Sequence, residues 1–438
     1  MNATTSSTTE PRQPLAPDAT VVVVGGGHAG VAVLAQLRSQ GFAGQLVLIS
    51  AEIGLPYHRP PLSKMALLEG TDRTSLSLRP EPWYVTNSVT RHVSTRVTHI
   101  DRAARRVHLK SSSAPEAIGY DALILATGSA PRPWTDPVNG GGALGVAEGL
   151  HVLRDVEDAA ALRAAMVGRG HLVIVGGGYI GLEVAATARA LGCDVCIVEQ
   201  APRVLQRVAP KATSRLMRQL HQSHGVRLFE GAQVVALQRE EGKISNVRIR
   251  TAEGDLRELK ADLVLAGIGT VPRDDLAKDC GLEVGDGVLV NAQGQTQDRA
   301  IWAVGDVARH MDQAMRIESV GNAHHQAALV AAAMMARPEP SPFVPWFWSD
   351  QYGGRLQIAG LWQSADRWVE RHEGGQGHSI WSYLGDRLVA VDAWQAPVAY
   401  VSGKKWLETG QYPPPEWLAN KDHHIKDWMP QARSSVAP

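Results

Sequence analysis

Two runs of β-branched and aliphatic residues, TVVVV at 20–24 and HLVIV at 171–175, each break into three glycines and then into an alanine-rich stretch with helical spacing. A continuous apolar run of this length predicts a strand buried on both faces, as in a parallel sheet, and the glycines predict a strand-to-helix turn. After the first run come the strand LVLIS and the segment YDALILATGSAPRPW, whose Ala126, Thr127 and Gly128 are small enough for a strand end to turn tightly. The second run is followed by the helix YIGLEVAATARALG, the strand VCIVE, a helical stretch through Arg215 and Leu220, a hairpin-like REEGKISNVRIRTAEGD and ADLVLAGIGTVP. That closing segment mirrors the first one. AIWAVGDVARH and the helix NAHHQAALVAAAMMA then read as a return to the first domain, and from SPFVPWFWSDQY onward apolar and polar residues alternate as in a small antiparallel sheet. The stretch around Pro413–Pro415 reads as a helix or loop cap.

The expected fold class is therefore α/β, with two Rossmann-like dinucleotide-binding domains and a C-terminal α+β domain carrying an antiparallel sheet. The boundaries expected are a disordered leader at 1–18, a discontinuous first domain at 19–149 and 272–338, a second at 150–271, and a C-terminal domain at 339–438.

Composition narrows the partners. Lys and Arg number 44, as do Asp and Glu, so no charge excess favours nucleic acid or an anionic membrane. No apolar run is long enough to span a bilayer, and the opening residues lack the apolar core of a signal peptide. The expected location is cytoplasmic. Three cysteines provide no disulfide framework, and no metal site is expected. Cys193 and Cys196 form a C-x-x-C, but on a strand positions three apart face opposite sides, so a structural role is expected rather than a redox one.

Chemistry concentrates at the glycine turns. Gly25 and Gly176 permit the tight turn, and Gly27 and Gly178 let backbone N–H groups approach a pyrophosphate. Gly30 and Gly181 let the helix pack against its strand. Two such loops on one chain predict two dinucleotides. Glu199 ends VCIVE, where a carboxylate binds the adenosine ribose diol and repels a 2′-phosphate, so the second loop is expected to take NADH in preference to NADPH. Arg203 and Arg207 follow closely and soften that preference. In the first half, Glu52 after LVLIS is the carboxylate expected to reach the first ribose.

Beyond the glycine loops, the segments LPYHRPPLSK (Leu55 to Lys64), IGLE ending at Glu183, AVGD with Asp306, RIESVGNA (Arg316 to Ala323) and PWFWSDQY (Pro345 to Tyr352) carry a family likeness. Together they resemble the FAD-dependent NADH:ferredoxin reductases of bacterial oxygenase systems, the putidaredoxin reductase-like branch of the pyridine nucleotide-disulfide oxidoreductases. The likeness runs from about Val21 to at least Leu388. It implies a glutathione reductase-like fold: an FAD domain, an NADH domain inserted in it, and a C-terminal domain covering the flavin.

The resemblance implies roles by position. Asp306 binds the ribityl hydroxyls of FAD, with Gly305 beside it; helix N-capping is its alternative role. Arg59 and Arg132 contact the FAD phosphates or ring, and Ala29, Val97, Ala126, Thr127, Gly128 and Val320 line the flavin nucleotide. Trp348, with Trp346 nearby, lies against the flavin. Ile180, Arg207 and Gly269 border NADH. Lys64 and Glu183 are the implied catalytic pair: a cation stabilises negative charge on the reduced flavin, and the carboxylate holds and neutralises it. The alternative is an ordinary interdomain ion pair.

The electron acceptor is read from what is missing. Disulfide reductases of this architecture carry a redox cysteine pair after the first glycine loop, where this chain has LPYHRPPLSKMALLEG. Electrons must then leave directly from the flavin, and nothing in the chain ligates an iron–sulfur cluster. The implied partner is an acidic [2Fe–2S] ferredoxin that feeds a cytochrome P450 or Rieske oxygenase, with the reductase a monomer or weak homodimer. Several relatives carry a basic docking residue where this chain has Ala328; His324, His325, Arg309, His310 and Arg316 are the substitutes expected, with coupling sensitive to pH between about 6 and 7. Two other functions stay open: an NADH oxidase or quinone reductase, and a non-catalytic NADH-sensing flavoprotein.

Overall fold

The computed structural model describes residues 14–70, 72–134, 149–168, 170–313 and 315–429; most of the expected leader, 1–13, lies outside them. The chain divides into two compact units. One holds the chain up to His58, Arg73–Ala130 and Val271–Phe343; the other holds Arg59–Asp72, Pro131–Thr270 and the chain from Val344 on.

In the first unit, five parallel strands lie in the order Ile301–Ala303, Ala122–Leu125, Thr20–Val24, Gln45–Ile49, Val89–His92. Thr20–Val24 is central and loses both faces to packing, which is why its sequence shows no polar alternation. Val21 and Val23 pack with Val33, Leu34 and Leu37 of helix His28–Ser39 and with Ala327, Val330 and Ala331 of helix Val320–Met334. Val22 and Val24 pack on the other side with Val97, Ile100 and Val107 of a three-stranded antiparallel sheet.

The second unit repeats the plan. Its parallel strands run Arg227–Glu230, Asp194–Glu199, His171–Val175, Leu263–Ala266, Leu150–His151, with helix Tyr179–Ala190 following the central strand. Cys193 belongs to the core on one side of this sheet and Cys196 to the core on the other, and burial pushes both thiols up. The hairpin expected around Lys243 forms, with strands Gln233–Glu240 and Lys243–Arg250.

The same unit contains the antiparallel sheet read from the alternation, in the order Trp346–Gln351, Gly354–Gly360, Arg387–Trp394, His378–Leu384, Arg367–His372. Both of its faces are covered. Leu356, Ile358 and Trp394 join the core of Leu172, Ile174 and Leu182, whereas Trp381, Tyr383 and Val391 pack with Ala399 and Trp406 of helix Pro397–Thr409. A Cβ on Gly403 would lie 2.5 Å from Val391 Cγ1, so this mid-helix glycine sets how closely helix meets sheet. Among the described residues no helix is long and apolar enough to cross a membrane, and no group of three or more His, Cys, Asp or Glu is placed to hold a metal ion.

Strand Arg387–Trp394 buries one ionisable group completely. Asp392 Oδ2 accepts from the Thr213 hydroxyl at 2.7 Å, and Oδ1 has no hydrogen-bond partner among the described residues. Burial pushes its carboxyl up to about 7, against 3.8 ordinarily, with the Thr213 bond opposing the shift. An acid that keeps its proton in the fold and loses it in the unfolded chain makes stability fall as pH climbs from about 4 to about 7. Asp392→Asn removes that loss: its thermal midpoint relative to the parent protein is expected to rise between pH 5 and pH 8. A difference that does not change with pH contradicts the burial argument.

Candidate active site

The two glycine turns are built alike. Gly25 and Gly176 adopt φ of +120° and +111°, and their N–H groups donate to Ile49 and Val198 carbonyls at 2.8 Å. A Cβ there would lie 2.1 Å from the Ala126 carbonyl oxygen at Gly25 and 2.2 Å from that of Gly267 at Gly176. At Gly30 and Gly181 it would meet the carbonyl oxygen of the turn glycine itself, at 2.1 and 2.3 Å. Gly27 and Gly178 differ: no described atom lies within 4 Å of where their Cβ would be. Each precedes a helix whose start has no side-chain cap and no acidic residue in its first turn. Open space at the start of an uncapped helix fits a pyrophosphate, so both cradles pass the test for a dinucleotide.

At the ends of the second strands the halves diverge. Val24 pairs with Ile49 and Val175 with Val198, so the counterpart of Glu199 is Ser50. Glu199 sits at the mouth of its cradle and accepts from Gly177 N–H and Ala201 N–H, both at 2.6 Å. In the first cradle a Cβ on Gly26 would come within 2.9 Å of Ser50 Oγ, and Glu52 stands two residues on, where its carboxylate accepts from the Tyr57 hydroxyl at 2.7 Å.

The arginines after Glu199 are placed differently from one another. Arg203 is tied to the Ala209 carbonyl at 2.8 Å, the Gln206 carbonyl at 3.2 Å and the Ser214 hydroxyl, with its guanidinium 5.5 Å from the Trp362 ring centroid. Its guanidinium is thus taken up by neighbouring groups of its own unit. Arg207 lies beside Gly269, 3.5 Å from where a Cβ would be, and the Gly269 carbonyl accepts from Arg132 N–H at 2.9 Å. Ile180, just inside the helix, is exposed. Arg59 donates to the Arg154 carbonyl at 3.1 Å.

Lys64 and Glu183 meet within the second unit. The Pro60–Pro61 pair starts a short 3-10 turn, Pro60–Ser63, that ends at Lys64, and Lys64 Nζ donates to Glu183 Oε2 at 2.7 Å and to the Pro60 carbonyl at 3.1 Å. Ser63 donates its hydroxyl to the same carboxylate oxygen, and Ser349 donates to Oε1 at 2.7 Å. Glu183 is 5% exposed and Lys64 17%. A buried ion pair holds only if further hydrogen bonds fill the remaining lone pairs, and the two serines do so here. Neither serine was singled out from the sequence; the SK of PPLSK and the WSD of WFWSDQ are their signals.

In the first unit, Gly305 donates its N–H to Gln326 Oε1 at 2.7 Å, and Asp306 Oδ2 accepts from Ser129 at 3.1 Å. A short 3-10 turn, Gly305–Val307, leads into strand Ala308–His310, so Asp306 does not cap an α-helix. Ala29 lies against Gly305. Thr127 donates to the Arg273 carbonyl at 2.7 Å, and the Gly128 carbonyl accepts from Arg273 N–H at 2.9 Å, anchoring the end of the ATG segment. Val97 is buried on strand Arg96–Asp101, and Val320 opens its helix behind a Ser319 cap. Trp348 stacks on Trp346 with centroids 5.4 Å apart, and the two line a 340 Å³ cavity with Arg355, Gln357 and Tyr400.

The expected basic docking cluster does not form. Arg316 is 7% exposed and is spent on the Asp306 carbonyl, Glu318 and Asp286; Arg309 donates to the Gly285 carbonyl at 2.6 Å. Burial pushes His310, His324 and His325 below their ordinary pKa.

Two matched glycine cradles, a lysine paired with a buried carboxylate of the second cradle helix and an antiparallel C-terminal sheet define an α/β oxidoreductase. The model of the pyridine nucleotide-disulphide oxidoreductases matches residues 19–327 and that of the reductase C-terminal domain matches 346–429; the chain belongs to this family. It is 38% identical to the probable ferredoxin reductase CtmF of Castellaniella defragrans, over 88% of this chain and 93% of that one. Putidaredoxin reductase CamA of Pseudomonas putida is 37% identical over 95% of this chain and 98% of its own. The crystal structure of the covalent putidaredoxin reductase–putidaredoxin complex superposes with a TM-score of 0.87 at 37% identity, over 93% of this chain and 97% of that one.

The cradle geometry separates two substitutions. Gly178→Ala is expected to keep the thermal midpoint of the parent protein but to weaken NADH binding about tenfold or more, since its methyl enters the open space. Gly176→Ala meets both a positive φ and a carbonyl, and is expected to destabilise the protein by roughly 3 kcal/mol or more. Calorimetry together with NADH titration distinguishes them; equal effects would contradict the assignment.

Proposed function

We propose that the protein is an NADH-dependent ferredoxin reductase in which the first cradle holds FAD and the second takes NADH. Its one-electron partner is a small [2Fe–2S] ferredoxin feeding a P450 or Rieske oxygenase. The domain assignment follows: 19–149 with 272–338 for FAD, 150–271 for NADH, and 339–438 as the domain that covers the flavin. The observation that carries the reading is the pair of matched cradles combined with a chain that has no cysteine near the first one. Bound FAD takes electrons as a hydride pair and releases them singly.

The chain's own residues supply position and charge. In the first cradle the turn at Gly25 to Gly30 receives the pyrophosphate and Asp306 the ribityl chain. In the second, Gly176 to Gly181 take the NADH pyrophosphate and Glu199 its adenosine ribose, which disfavours a 2′-phosphate. Arg207 and Gly269 border that same cradle. Lys64 supplies a fixed positive charge, and Glu183 holds its ammonium in place and balances it. Trp348 screens the reacting rings from water. Glu52, bonded to Tyr57, is assigned to the outer edge of the first ribose site rather than to the register position that Glu199 occupies.

The thiols support direct exit of electrons. Cys193, Cys196 and Cys280 have pKa values raised by burial, and none lies in the segment between the first cradle and Lys64. This disfavours an oxidase that depends on a cysteine.

NADH oxidation followed with cytochrome c, with and without an added [2Fe–2S] ferredoxin, is the test. Ferredoxin-dependent reduction is expected; fast unaided oxygen consumption indicates an oxidase, and no turnover indicates a sensor. Lys64→Ala is expected to slow flavin reduction in stopped flow with NADH by roughly 10- to 100-fold. An unchanged rate removes the role of the pair.

A further inference from the structure

Behind Glu183 lies a row of polar side chains that the reaction as proposed does not use. Ser349 and Gln351 occupy alternate positions on strand Trp346–Gln351, so both point to one face, and Gln351 Nε2 lies 2.9 Å from Ser349 Oγ. Gln351 Oε1 is 2.7 Å from Nε2 of His221 on helix Lys211–Ser223, and His221 Nδ1 is 3.1 Å from the Tyr352 hydroxyl. With Ser349 at 2.7 Å from Glu183 Oε1, the contacts run unbroken from the ion pair to Tyr352. Ser349, Gln351 and His221 are all buried.

Tyr352 stands where a large residue is seldom found. It has φ of +50° and is followed by Gly353 at +74°, the two central residues of a hairpin turn between strands Trp346–Gln351 and Gly354–Gly360. Such a turn ordinarily takes Asn-Gly or Asp-Gly, and a bulky residue in left-handed backbone is strained. What Tyr352 gains there is a stack on His224, with centroids 3.8 Å apart at 18°, and its bond to His221.

The direction of every bond in the row follows from its first member. A carboxylate only accepts, so Ser349 must donate its single proton to Glu183. Ser349 Oγ then accepts from the Gln351 amide N–H, which turns the Gln351 carbonyl toward His221. That carbonyl also only accepts, so His221 carries its proton on Nε2, and Nδ1 accepts from Tyr352.

We infer that Ser349, Gln351, His221 and Tyr352 form a one-way hydrogen-bond chain that holds the Glu183 carboxylate in position for Lys64, making them positioning residues for hydride transfer. The inference rests on the role proposed for the Lys64–Glu183 pair. Burial, which pushes the His221 imidazole down to about 4, keeps that ring neutral and so keeps the chain polarised.

The polarity is testable without any turnover. In Glu183→Gln the carbonyl of the new amide must face Lys64 and Ser63, both donors, and its N–H must then face Ser349. Ser349, buried and with no acceptor left on residue 183, then turns its own proton to Gln351, each later bond reverses, and His221 moves its proton to Nδ1. Two-bond ¹H–¹⁵N spectra of the flavin-loaded protein labelled at histidine nitrogen, with His221 assigned by its loss in His221→Asn, are expected to show the Nε2–H form in the parent protein and the Nδ1–H form in Glu183→Gln. An Nδ1–H form in the parent, or a tautomer unmoved by Glu183→Gln, overturns the chain.

The positioning role has its own readout. Ser349→Ala is expected to slow flavin reduction at saturating NADH by roughly fivefold to tenfold while NADH binding is unchanged, and Ser349→Thr to restore it, since one hydrogen bond to a charged group is lost and regained. Parent-like reduction by Ser349→Ala while Lys64→Ala is slow overturns the chain's role alone. Parent-like rates in both overturn the role of the ion pair, and the chain's with it.

Discussion

Two backbone carbonyls dictate the layout of this protein. The oxygens of Ala126 and Gly267, at the ends of neighbouring strands, reach to within 2.2 Å of where a Cβ would stand on Gly25 and Gly176, so the turns close only on glycine. Closing them there carries the chain directly into a helix that starts over open space at Gly27 or Gly178. The helices His28–Ser39 and Tyr179–Ala190 are then held against their central strands because Gly30 and Gly181 present no side chain to the turn carbonyl. The same packing that excludes side chains from the turn leaves open space at Gly27 and Gly178, which a pyrophosphate fits.

The second cradle helix also carries Glu183, the carboxylate that pairs with Lys64. Glu183, buried on Tyr179–Ala190, gathers donors from Ser63, Lys64 and Ser349, which come from two other segments of the same unit. A carboxylate so enclosed is stable only with its lone pairs filled, and that requirement extends outward through Gln351 and His221 to the strained Tyr352. Asp392 gives the contrast. It is equally enclosed but has one hydroxyl donor and a bare oxygen, and its carboxyl is pushed up to about 7. Among the described residues, the two buried carboxylates thus differ in donor supply, three donors at Glu183 against one at Asp392.

Much of the architecture was legible in the sequence because buried parallel strands leave unbroken apolar runs and glycine turns leave fixed spacings. TVVVV and HLVIV are central strands, and the alternation after Pro345 is the antiparallel sheet. Helix Pro397–Thr409 was hidden because its valines and Gly403 read against a helix; the glycine is there for close packing on Val391. That Glu52 lies beyond the register position of Glu199 shows only in the strand pairing, which sets Ser50 there. The arginines of the expected docking cluster were misjudged for a related reason: a sequence counts charges but not their partners, and Arg309 and Arg316 are occupied by backbone carbonyls. His221 had no signal, since its partners Gln351 and Tyr352 lie far along the chain.

The central claim is that a bound flavin alone holds the electrons between NADH and the ferredoxin, with no sulfur in the path. Anaerobic titration of the purified yellow protein with NADH, followed by its visible absorbance and by counting free thiols, measures this most directly. One equivalent of NADH per flavin is expected to bleach the chromophore completely with the thiol count unchanged. Uptake of a second equivalent with new thiols appearing, or a chromophore that NADH does not bleach, would contradict the account.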